Sequence, residues 1–441
     1  MIPTSPPVNK RHAAWLILML ALHILPFATR PALIGGDEPH YALMAHSLGV
    51  ERDAHITNNY DEVEAGSNAA GHKRAGTALV RHTRTIGNAE VFAHPLGLPL
   101  LAAPLVAIQE AVLPGSAPDI LLGLLTLGVT FAALIVGWRL LVRLTADGRD
   151  AALLLFCVYF GSPLWFYSRT FFTEPYTWAF AVFAIACIVR GRLVAAAGFL
   201  ALTLAMKETS LLIVAPILLV SAQRLGMRKA AVLAAGPLVF AALFALKNYL
   251  LVGTPFSTFH PYIVGNPITG AIGLLLDSMH GLIWFAPLLF LGIFGWLRRG
   301  GIPTDLRAGA FLAFVSYFAL TAAWADWRGG SSYATRLLLP VLPALVIPLA
   351  GLVFDTRFRR LLFPLFLIGF VVNWCAALDP FKAFWGVNVF DLLSDNPAVP
   401  ASGLIVGALF YYVVAEHFPS TRIVLPLSPR SRGEGGARHT S

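Results

Sequence analysis

DILLGLLTLGVTFAALIVGWRLL, which runs from Asp119 to Leu141, is the apolar segment that sets the fold class of this chain. No charged residue interrupts it between Asp119 and Arg139. A helix that crosses the hydrocarbon core of a bilayer needs about 20 predominantly apolar residues, and this segment supplies them. Similar runs recur along almost the whole sequence. We therefore predict an all-α integral membrane protein, with a single polytopic membrane domain over residues 1–420.

The composition agrees with a lipid-facing surface. Apolar residues make up 57% of the 441 residues and charged residues only 12%, and the mean hydropathy is +0.72. Soluble chains carry about twice that share of charge. The net charge of +9 does not indicate nucleic-acid binding, because the basic residues lie at the ends of apolar runs and form no patch. Cys157, Cys187 and Cys375 lie within apolar runs and predict small packing residues, not a disulfide framework or a zinc site.

Twelve transmembrane spans are predicted from the apolar runs. The first is retained as a span and not cleaved as a signal peptide, because no small-x-small cleavage site follows it. The apolar segment 96–113 follows Pro95 and contains Pro99, Pro104 and Gln109-Glu110, and we predict that it lies in the outer interface or re-enters from it. The predicted spans are 13–29, 119–141, 151–168, 176–190, 193–206, 209–222, 230–250, 281–297, 307–325, 337–354, 361–378 and 403–417.

The basic residues orient these spans. With 96–113 left out of the count, 20 of the 32 Lys and Arg residues fall in one set of short loops and tails. Positive residues concentrate in cytoplasmic loops, so both termini are predicted to be cytoplasmic. The membrane is predicted to be the cell (inner) membrane. A long first outer loop, 30–118, then faces the extracytoplasmic side, and residues 421–441 form a disordered cytoplasmic tail rich in Gly, Arg and Ser.

The first outer loop opens with Gly35-Gly36-Asp37-Glu38-Pro39-His40-Tyr41. Two carboxylates at the apolar boundary are expected to be desolvated, which raises their proton affinity and suits general-base catalysis. With His40 they could instead hold a divalent cation. A structural alternative is that Asp37 or Glu38 caps a helix over residues 39–47. The spacing of the residues alone leaves these alternatives open.

Other polar groups lie on the same predicted face. The first loop continues with Asn58-Asn59-Tyr60-Asp61, a basic stretch 72–84 that is either a solvated loop or an anion site, and His94-Pro95-Leu96-Gly97. Arg169 and Glu174 lie in one outer turn, and Lys207 and Glu208 lie in another. The two charged residues of each turn either form an ion pair with each other or line the mouth of a cleft. The segment 324–336 places Arg328 and Arg336 beside a Gly-Gly turn, where they either grip a phosphate or anchor the interface.

Together these blocks resemble a known family. A first span followed by Gly-Asp-Glu-Pro-His-Tyr, an outer loop with Asn-Asn-Tyr, and then His-Pro-Leu-Gly-Leu-Pro is similar to the GT-C superfamily of membrane glycosyltransferases. The branch it resembles most contains protein O-mannosyltransferases and lipid A aminoarabinose transferases (glycosyltransferase family 39-like). Ser168–Pro175 and the segment from Trp324 to Pro343 are similar to later blocks of bacterial members, so the likeness covers residues 12–380.

The resemblance implies a sugar donor on a polyprenyl phosphate, an extracytoplasmic lipid, glycan or protein acceptor, and inversion at the anomeric carbon. It implies that Asp37, with Glu38 beside it, is the acidic catalytic residue that follows the first span. Basic residues that would hold the donor phosphate are Arg169, Lys207, Arg336 and Arg328. Residues expected in the substrate loops are His40, Tyr41, Asn59, Tyr60, His94 and Glu174.

The sequence departs from the family in two places. A lysine that often precedes the proline pair in aminoarabinose transferases is replaced by His94. The long soluble C-terminal domain of some relatives is not seen, so acceptor binding is expected to depend on the outer loops. No cofactor is implied beyond a possible divalent cation at Asp37, Glu38 and His40. The alternative function is a transporter or flippase of lipid-linked saccharides, which would predict repeats and polar residues through the spans.

Overall fold

The computed structural model of the protein describes residues 10–65, 79–86, 89–145, 147–255, 262–297, 302–353 and 356–417. Within these ranges the chain is helical apart from connecting turns and one short antiparallel hairpin. The prediction of an all-α membrane fold is confirmed. The predicted tail 421–441 lies outside the described residues.

The helices follow one another with short connections. The α-helices are α1 (Lys10–His23), α2 (Leu25–Thr29), α3 (Glu38–His46), α4 (Ile56–Ala65), α5 (Gly97–Val112), α6 (Asp119–Thr145), α7 (Gly148–Phe160), α8 (Pro163–Tyr167), α9 (Thr173–Val189), α10 (Leu193–Met206), α11 (Leu211–Leu225), α12 (Met227–Val252), α13 (Pro267–Leu276), α14 (Leu282–Phe285), α15 (Pro287–Phe294), α16 (Thr304–Ala322), α17 (Val346–Val353), α18 (Thr356–Leu378), α19 (Pro380–Phe384), α20 (Val389–Ser394) and α21 (Ala398–His417). A π-helical segment covers Ser47–Glu51, and 3-10 helices cover Glu208–Ser210, Gly295–Leu297, Arg336–Leu338 and Leu342–Leu345. The strands are β1 (Thr83–Ile86) and β2 (Ala89–Phe92).

The helices account for the predicted spans. Each predicted segment overlaps one or two of them, and 151–168 is divided between α7 and α8 because Pro163 starts a new helix. The predicted interfacial segment 96–113 is the helix α5; its depth in the membrane stays a prediction. Within the described ranges, six helices are long and apolar enough to cross a membrane: Asp119–Thr145, Glu208–Leu225, Met227–Leu251, Thr304–Ala322, Phe358–Leu378 and Ala398–Glu416.

Small residues let the helices approach closely. A Cβ added at Gly236 of α12 would lie 2.1 Å from the carbonyl oxygen of Ala197 in α10. A Cβ at Gly369 of α18 would lie 2.3 Å from the carbonyl oxygen of Gly161, which ends α7. Lipid tails are as apolar as the helices, so helix association in a membrane depends on such close packing.

A buried polar network joins the first span to its neighbours. His23 Nε2 lies 3.0 Å from the carbonyl oxygen of Leu127 in α6. His23 Nδ1 lies 2.9 Å from the hydroxyl oxygen of Tyr159 in α7. Polar contacts between spans fix their relative positions because the partners have no water to bond instead. The network therefore sets where the chain emerges from the first span, which is where the candidate site begins.

The segment 30–118, predicted to be the first outer loop, has a small core of its own. Helices α3, α4 and α5 and the β1–β2 hairpin bury Tyr41, Leu43, Tyr60, Phe92 and Leu98 against one another. The polar residues on these helices and on the hairpin, within the described part of the loop, are therefore held on packed elements. A precise arrangement of side chains is possible there, which a mobile loop would not provide.

Candidate active site

A two-glycine turn places Asp37 at the start of α3. Gly36 has φ +60°, a conformation that L side chains rarely adopt. A Cβ added there would lie 3.0 Å from the ring of Phe384 and 3.2 Å from the ring of Phe172. Glycine is therefore required at position 36 for two reasons: its backbone conformation and the close approach of two aromatic rings.

Asp37 contacts an arginine that lies 299 residues further along the chain. Arg336 Nη1 donates a hydrogen bond of 2.9 Å to Asp37 Oδ2. The other carboxylate oxygen, Oδ1, lies 3.7 Å from His82 Nδ1 and 4.0 Å from His94 Nε2. The side chain retains 21% exposure, so a substrate can reach it.

The protonation of Asp37 differs from the expectation. Burial disfavours the charged carboxylate, but the Arg336 guanidinium, helped by the nearby His94 and His82, holds the pKa of Asp37 well below its usual range. The expected rise in proton affinity is therefore wrong for Asp37, which is ionised at neutral pH. Asp37 occupies the N-cap position of α3 and Glu38 lies in its first turn, as the helix-cap alternative predicted, but the Asp37 side chain makes no capping hydrogen bond.

Glu38 points away from this opening. It is fully buried, with Oε2 accepting hydrogen bonds from the backbone N–H of Ile34 at 2.7 Å and of Gly35 at 3.2 Å. Its Oε1 accepts the backbone N–H of Phe171 at 2.8 Å. Burial raises the pKa of Glu38 in spite of these bonds and of the nearby Arg169. Glu38 thus links the turn before Asp37 to the turn before α9, and these contacts favour a positioning role over the predicted catalytic one.

Arg169 lies in the same buried layer. Its Nη2 donates to the carbonyl oxygens of Arg30, at 2.7 Å, and of Ala32. The residue is 1% exposed. It therefore supports the segment between α2 and the Gly35-Gly36 turn, and this placement does not favour the predicted contact with a donor phosphate.

The two short turns that were predicted to be outer are joined by an ion pair between them. Lys207 Nζ donates to Glu174 Oε1 at 2.9 Å, so the expected local pairs, Arg169 with Glu174 and Lys207 with Glu208, are wrong. Burial disfavours the charge of Lys207, but Glu174 raises its pKa above the usual value. Among the charged groups that act on Lys207 and Glu174 is Arg336, which places this pair beside the Asp37–Arg336 pair.

Arg336 carries hydrogen-bonding capacity that its protein partners do not use. Its guanidinium lies 4.6 Å from the ring centre of Phe172, and Nη2 donates to the carbonyl oxygen of Gly329 at 2.8 Å. Its Nε and the hydroxyl of the adjacent Thr335 are both buried, without a hydrogen-bond partner among the residues that the structure describes. Buried polar groups are normally hydrogen-bonded, so these two donors, on residues adjacent in sequence, are available to a ligand.

Ala334 adds backbone strain beside these donors. Its φ is +51°, an uncommon conformation for a residue with a Cβ. Such strain concentrates at functional sites, where the surrounding structure holds it in place. It fixes the direction in which Thr335 and Arg336 leave the loop.

Arg328 is not part of this cluster. It is exposed, and its guanidinium lies 4.5 Å from the ring centre of Trp327. It acts electrostatically on His280. Of the two arginines predicted to flank a phosphate, Arg336 contacts Asp37 and Arg328 lies beside a separate aromatic group.

The β1–β2 hairpin brings two histidines to Asp37. Thr83 pairs with Phe92 in the hairpin register, so His82 and His94 leave the same end. His82 Nδ1 lies 2.8 Å from His94 Nε2. His82 was not among the predicted site residues. A sequence signal for the hairpin exists in Gly87-Asn88, a turn-forming residue pair between two short runs of β-forming residues; this pair lies outside the described residues.

The remaining substrate-loop residues line the interior of the first loop. His40 stacks on the ring of His82 with 3.6 Å between ring centres, and its Nδ1 lies 2.7 Å from the hydroxyl oxygen of Tyr60. Burial, then the neighbouring His82 and His94, lowers the pKa of His40 to about 2. Tyr41 is buried beside His94, and buried Asn59 donates to Glu51.

The expected cation ligands need correction. Both carboxylate oxygens of Glu38 accept backbone N–H groups, and Nδ1 of His40 faces Tyr60. Among the described residues, Asp37, His82 and His94 bring potential ligand atoms within 4.8 Å of one another. In the basic stretch 72–84, His72, Lys73 and Arg74 lie outside the described residues, and Arg81 pairs with Asp61.

Comparison with known proteins adds a likeness in structure. No protein-family profile matches the sequence, and no curated protein is significantly similar to it. The chain is similar to two crystal structures of ArnT from Cupriavidus metallidurans, one bound to undecaprenyl phosphate and one in the apo state. Each ArnT structure shares 15% sequence identity with this chain. Each alignment covers 91% of this chain and 76% of the ArnT chain, with a TM-score of 0.49. At this score and identity the likeness assigns no family and no residue role to this chain.

Proposed function

We propose that this protein is a membrane glycosyltransferase of the GT-C type, which moves a sugar from a polyprenyl-phosphate donor to a hydroxyl of a lipid, glycan or protein. The observation that carries the proposal is the contact between Asp37 and Arg336. It places an ionised carboxylate on Arg336, whose Nε, like the hydroxyl of the next residue in the chain, Thr335, is a buried donor without a partner among the described residues. Transfer from a sugar phosphate needs these two capacities next to each other: a proton acceptor and an anion site.

The reaction follows from this arrangement as a single displacement. The acceptor hydroxyl oxygen forms a bond to the anomeric carbon while Asp37 accepts the hydroxyl proton. The bond between the anomeric carbon and the phosphate oxygen breaks, and its electron pair leaves with the polyprenyl phosphate. Arg336 and the Thr335 hydroxyl stabilise the charge that develops on that phosphate. Attack opposite the departing phosphate inverts the anomeric carbon.

The other residues support these roles. Lys207, held by Glu174 at 2.9 Å, adds a cation beside Arg336 and extends the phosphate site. Glu38 and Arg169 hold the backbone on which Asp37 sits. We assign the aromatic and polar residues of the first loop to the acceptor side of the opening: His40, Tyr41, Asn59, Tyr60 and His94.

The site is proposed to face the extracytoplasmic side of the cell (inner) membrane, with both termini cytoplasmic. The support is the distribution of Lys and Arg along the sequence. A lipid-linked donor would then enter from the bilayer, and its phosphate would meet the cations at the interface.

The orientation can be measured with a reporter fused after residue 113. Helix α5 ends at Val112, so the fusion falls in the turn that precedes α6. We expect an alkaline phosphatase fused there to be active, because the turn lies outside. A fusion after Gly191, between α9 and α10, should be inactive and serves as the opposite control. Activity in the second fusion alone would reverse the proposed orientation.

The activity itself is tested with purified protein and labelled polyprenyl-phosphate sugars. A labelled product on an acceptor, with release of polyprenyl phosphate, is the expected result. Movement of the labelled lipid across reconstituted vesicles, without cleavage of the sugar–phosphate bond, would support the transporter alternative and overturn the proposal.

Thr335→Val tests the phosphate site selectively. The side chain keeps its shape, loses the hydroxyl and is 2% exposed. A hydrogen bond to a charged group contributes about 1.5–3 kcal/mol, so the KM for the donor should rise by about 10- to 100-fold. The unfolding temperature should not fall, because this hydroxyl has no partner among the described residues.

The matched control is Thr321→Val in α16, where the hydroxyl donates to the carbonyl oxygen of Tyr317 at 2.9 Å. This variant should keep the wild-type KM. An unchanged donor KM in Thr335→Val would remove the Thr335 hydroxyl from the phosphate site.

A further inference from the structure

Three potential ligand atoms meet at one corner of the candidate site. Asp37 Oδ1, His82 Nδ1 and His94 Nε2 lie within 4.8 Å of one another. They come from two separate parts of the first loop, the start of α3 and the two ends of the β1–β2 hairpin. We propose that Asp37, His82 and His94 form a binding site for a divalent transition-metal ion, with Zn²⁺ the ion that fits best.

The donor set favours zinc among the common cations. Two imidazole nitrogens and one carboxylate oxygen suit Zn²⁺, whereas Ca²⁺ and Mg²⁺ prefer oxygen ligands. Three protein ligands leave a fourth tetrahedral position for water or a substrate oxygen. This corner is open enough for such a ligand, since the side chains of Asp37 and His82 are 21% and 31% exposed.

The distances are close to those of a zinc site. Bonds of about 2.0–2.1 Å at tetrahedral angles separate the ligand atoms by roughly 3.3–3.4 Å. The observed separations are 2.8 Å between His82 and His94, and 3.7 and 4.0 Å from these nitrogens to Asp37 Oδ1. Shifts of well under 1 Å in each side chain produce the required triangle.

The carboxylate can serve the metal and Arg336 together. Arg336 bonds to Oδ2, and the two histidines face Oδ1. A metal on Oδ1 would therefore leave the Asp37–Arg336 contact in place, and the second lone pair of Oδ2 would remain as the proton acceptor of the proposed reaction. A bound ion would also link the hairpin to the start of α3 and so stabilise the first loop.

The ion would change the charge of the proposed phosphate site. The charges of Asp37, Arg336, Glu174 and Lys207 cancel, because two are carboxylates and two are cations. A bound divalent ion makes the group positive and suits it to the departing lipid phosphate. This consequence rests on the proposed function, whereas the binding of the metal does not.

Metal content of the full-length protein, purified without a polyhistidine tag, provides the test. After incubation with Zn²⁺ and removal of weakly bound ions, wild type should hold about one zinc ion per chain by mass spectrometry. The double variant His82→Ala/His94→Ala should hold none. His55→Ala is the matched control, because His55 is an exposed histidine of the same loop and should keep the ion.

A second readout covers the case in which the double variant does not fold. Co²⁺ bound to wild type should show the intense absorption of a tetrahedral site, and His82→Cys should add a thiolate-to-cobalt charge-transfer band. Wild type with no more zinc than the double variant, or without the Co²⁺ spectrum, overturns the metal site. Both measurements need no sugar donor, so their failure leaves the transferase proposal standing, and a failed transfer assay leaves the metal site standing.

Discussion

Asp37→Asn should lower the rate of sugar transfer by about 10²- to 10⁴-fold, the range that a general base contributes. The amide cannot accept the proton of the acceptor hydroxyl. Its oxygen can still accept the hydrogen bond from Arg336 that wild type makes at 2.9 Å. In metal-free protein donor binding should therefore change little, and the loss should appear in kcat. The measurement is transfer of labelled sugar at saturating donor, with donor affinity measured separately.

Asp61→Asn is the matched control for the same chemical change in the same loop. Asp61 is 62% exposed at its side chain and pairs with Arg81 at the surface, so transfer should stay close to wild type. Full activity in Asp37→Asn would remove Asp37 as the base and leave the proposed mechanism without a proton acceptor at this place.

Glu38→Gln should lower stability and not selectively lower turnover. The substitution turns one acceptor oxygen into an N–H donor that faces the backbone N–H groups now bonded to Glu38, those of Ile34, Gly35 and Phe171. A buried donor left without a partner costs about 1–3 kcal/mol. The expected result is a lower midpoint of thermal unfolding in detergent and a lower yield of folded protein. Molecules that remain folded should keep a substantial part of their kcat.

Glu64→Gln makes the same change where the side chain is 49% exposed, and it should leave the unfolding midpoint unchanged. The comparison separates the two adjacent carboxylates that the sequence placed together. If Glu38→Gln were as stable as wild type but as inactive as Asp37→Asn, Glu38 would belong to the catalytic group and its positioning role would be wrong.

The position of the candidate site could be read from the sequence, because Asp37 follows directly after an apolar run and two glycines. The different environments of Asp37 and Glu38 could not be read from the sequence. Glu38 is bonded to the backbone of Phe171, 133 residues away, and Asp37 is bonded to Arg336, 299 residues away. The expectation of a raised pKa followed from desolvation alone and missed the arginine that opposes it.

The charge pairs also could not be predicted from the sequence. Lys207 and Glu174 lie in different turns, and sequence proximity favoured partners in the same turn. His82 and His94 are adjacent only because a hairpin joins them. Two side chains form an ion pair or a ligand set according to their distance in space, which depends on how the elements between them fold and pack.

The sequence by itself determined the membrane class and the positions of the helices. Transfer of a segment into hydrocarbon depends mainly on its own residues, so apolar runs such as Asp119–Leu141 can be recognised without knowing what they contact. Only the tertiary structure decided which charges meet. Packing of the helices placed Arg336 on Asp37 and Lys207 on Glu174, and left Thr335 Oγ1 and Arg336 Nε without a partner among the described residues. A polar interaction extends over only a few ångströms, and those distances are set by packing and not by order along the chain.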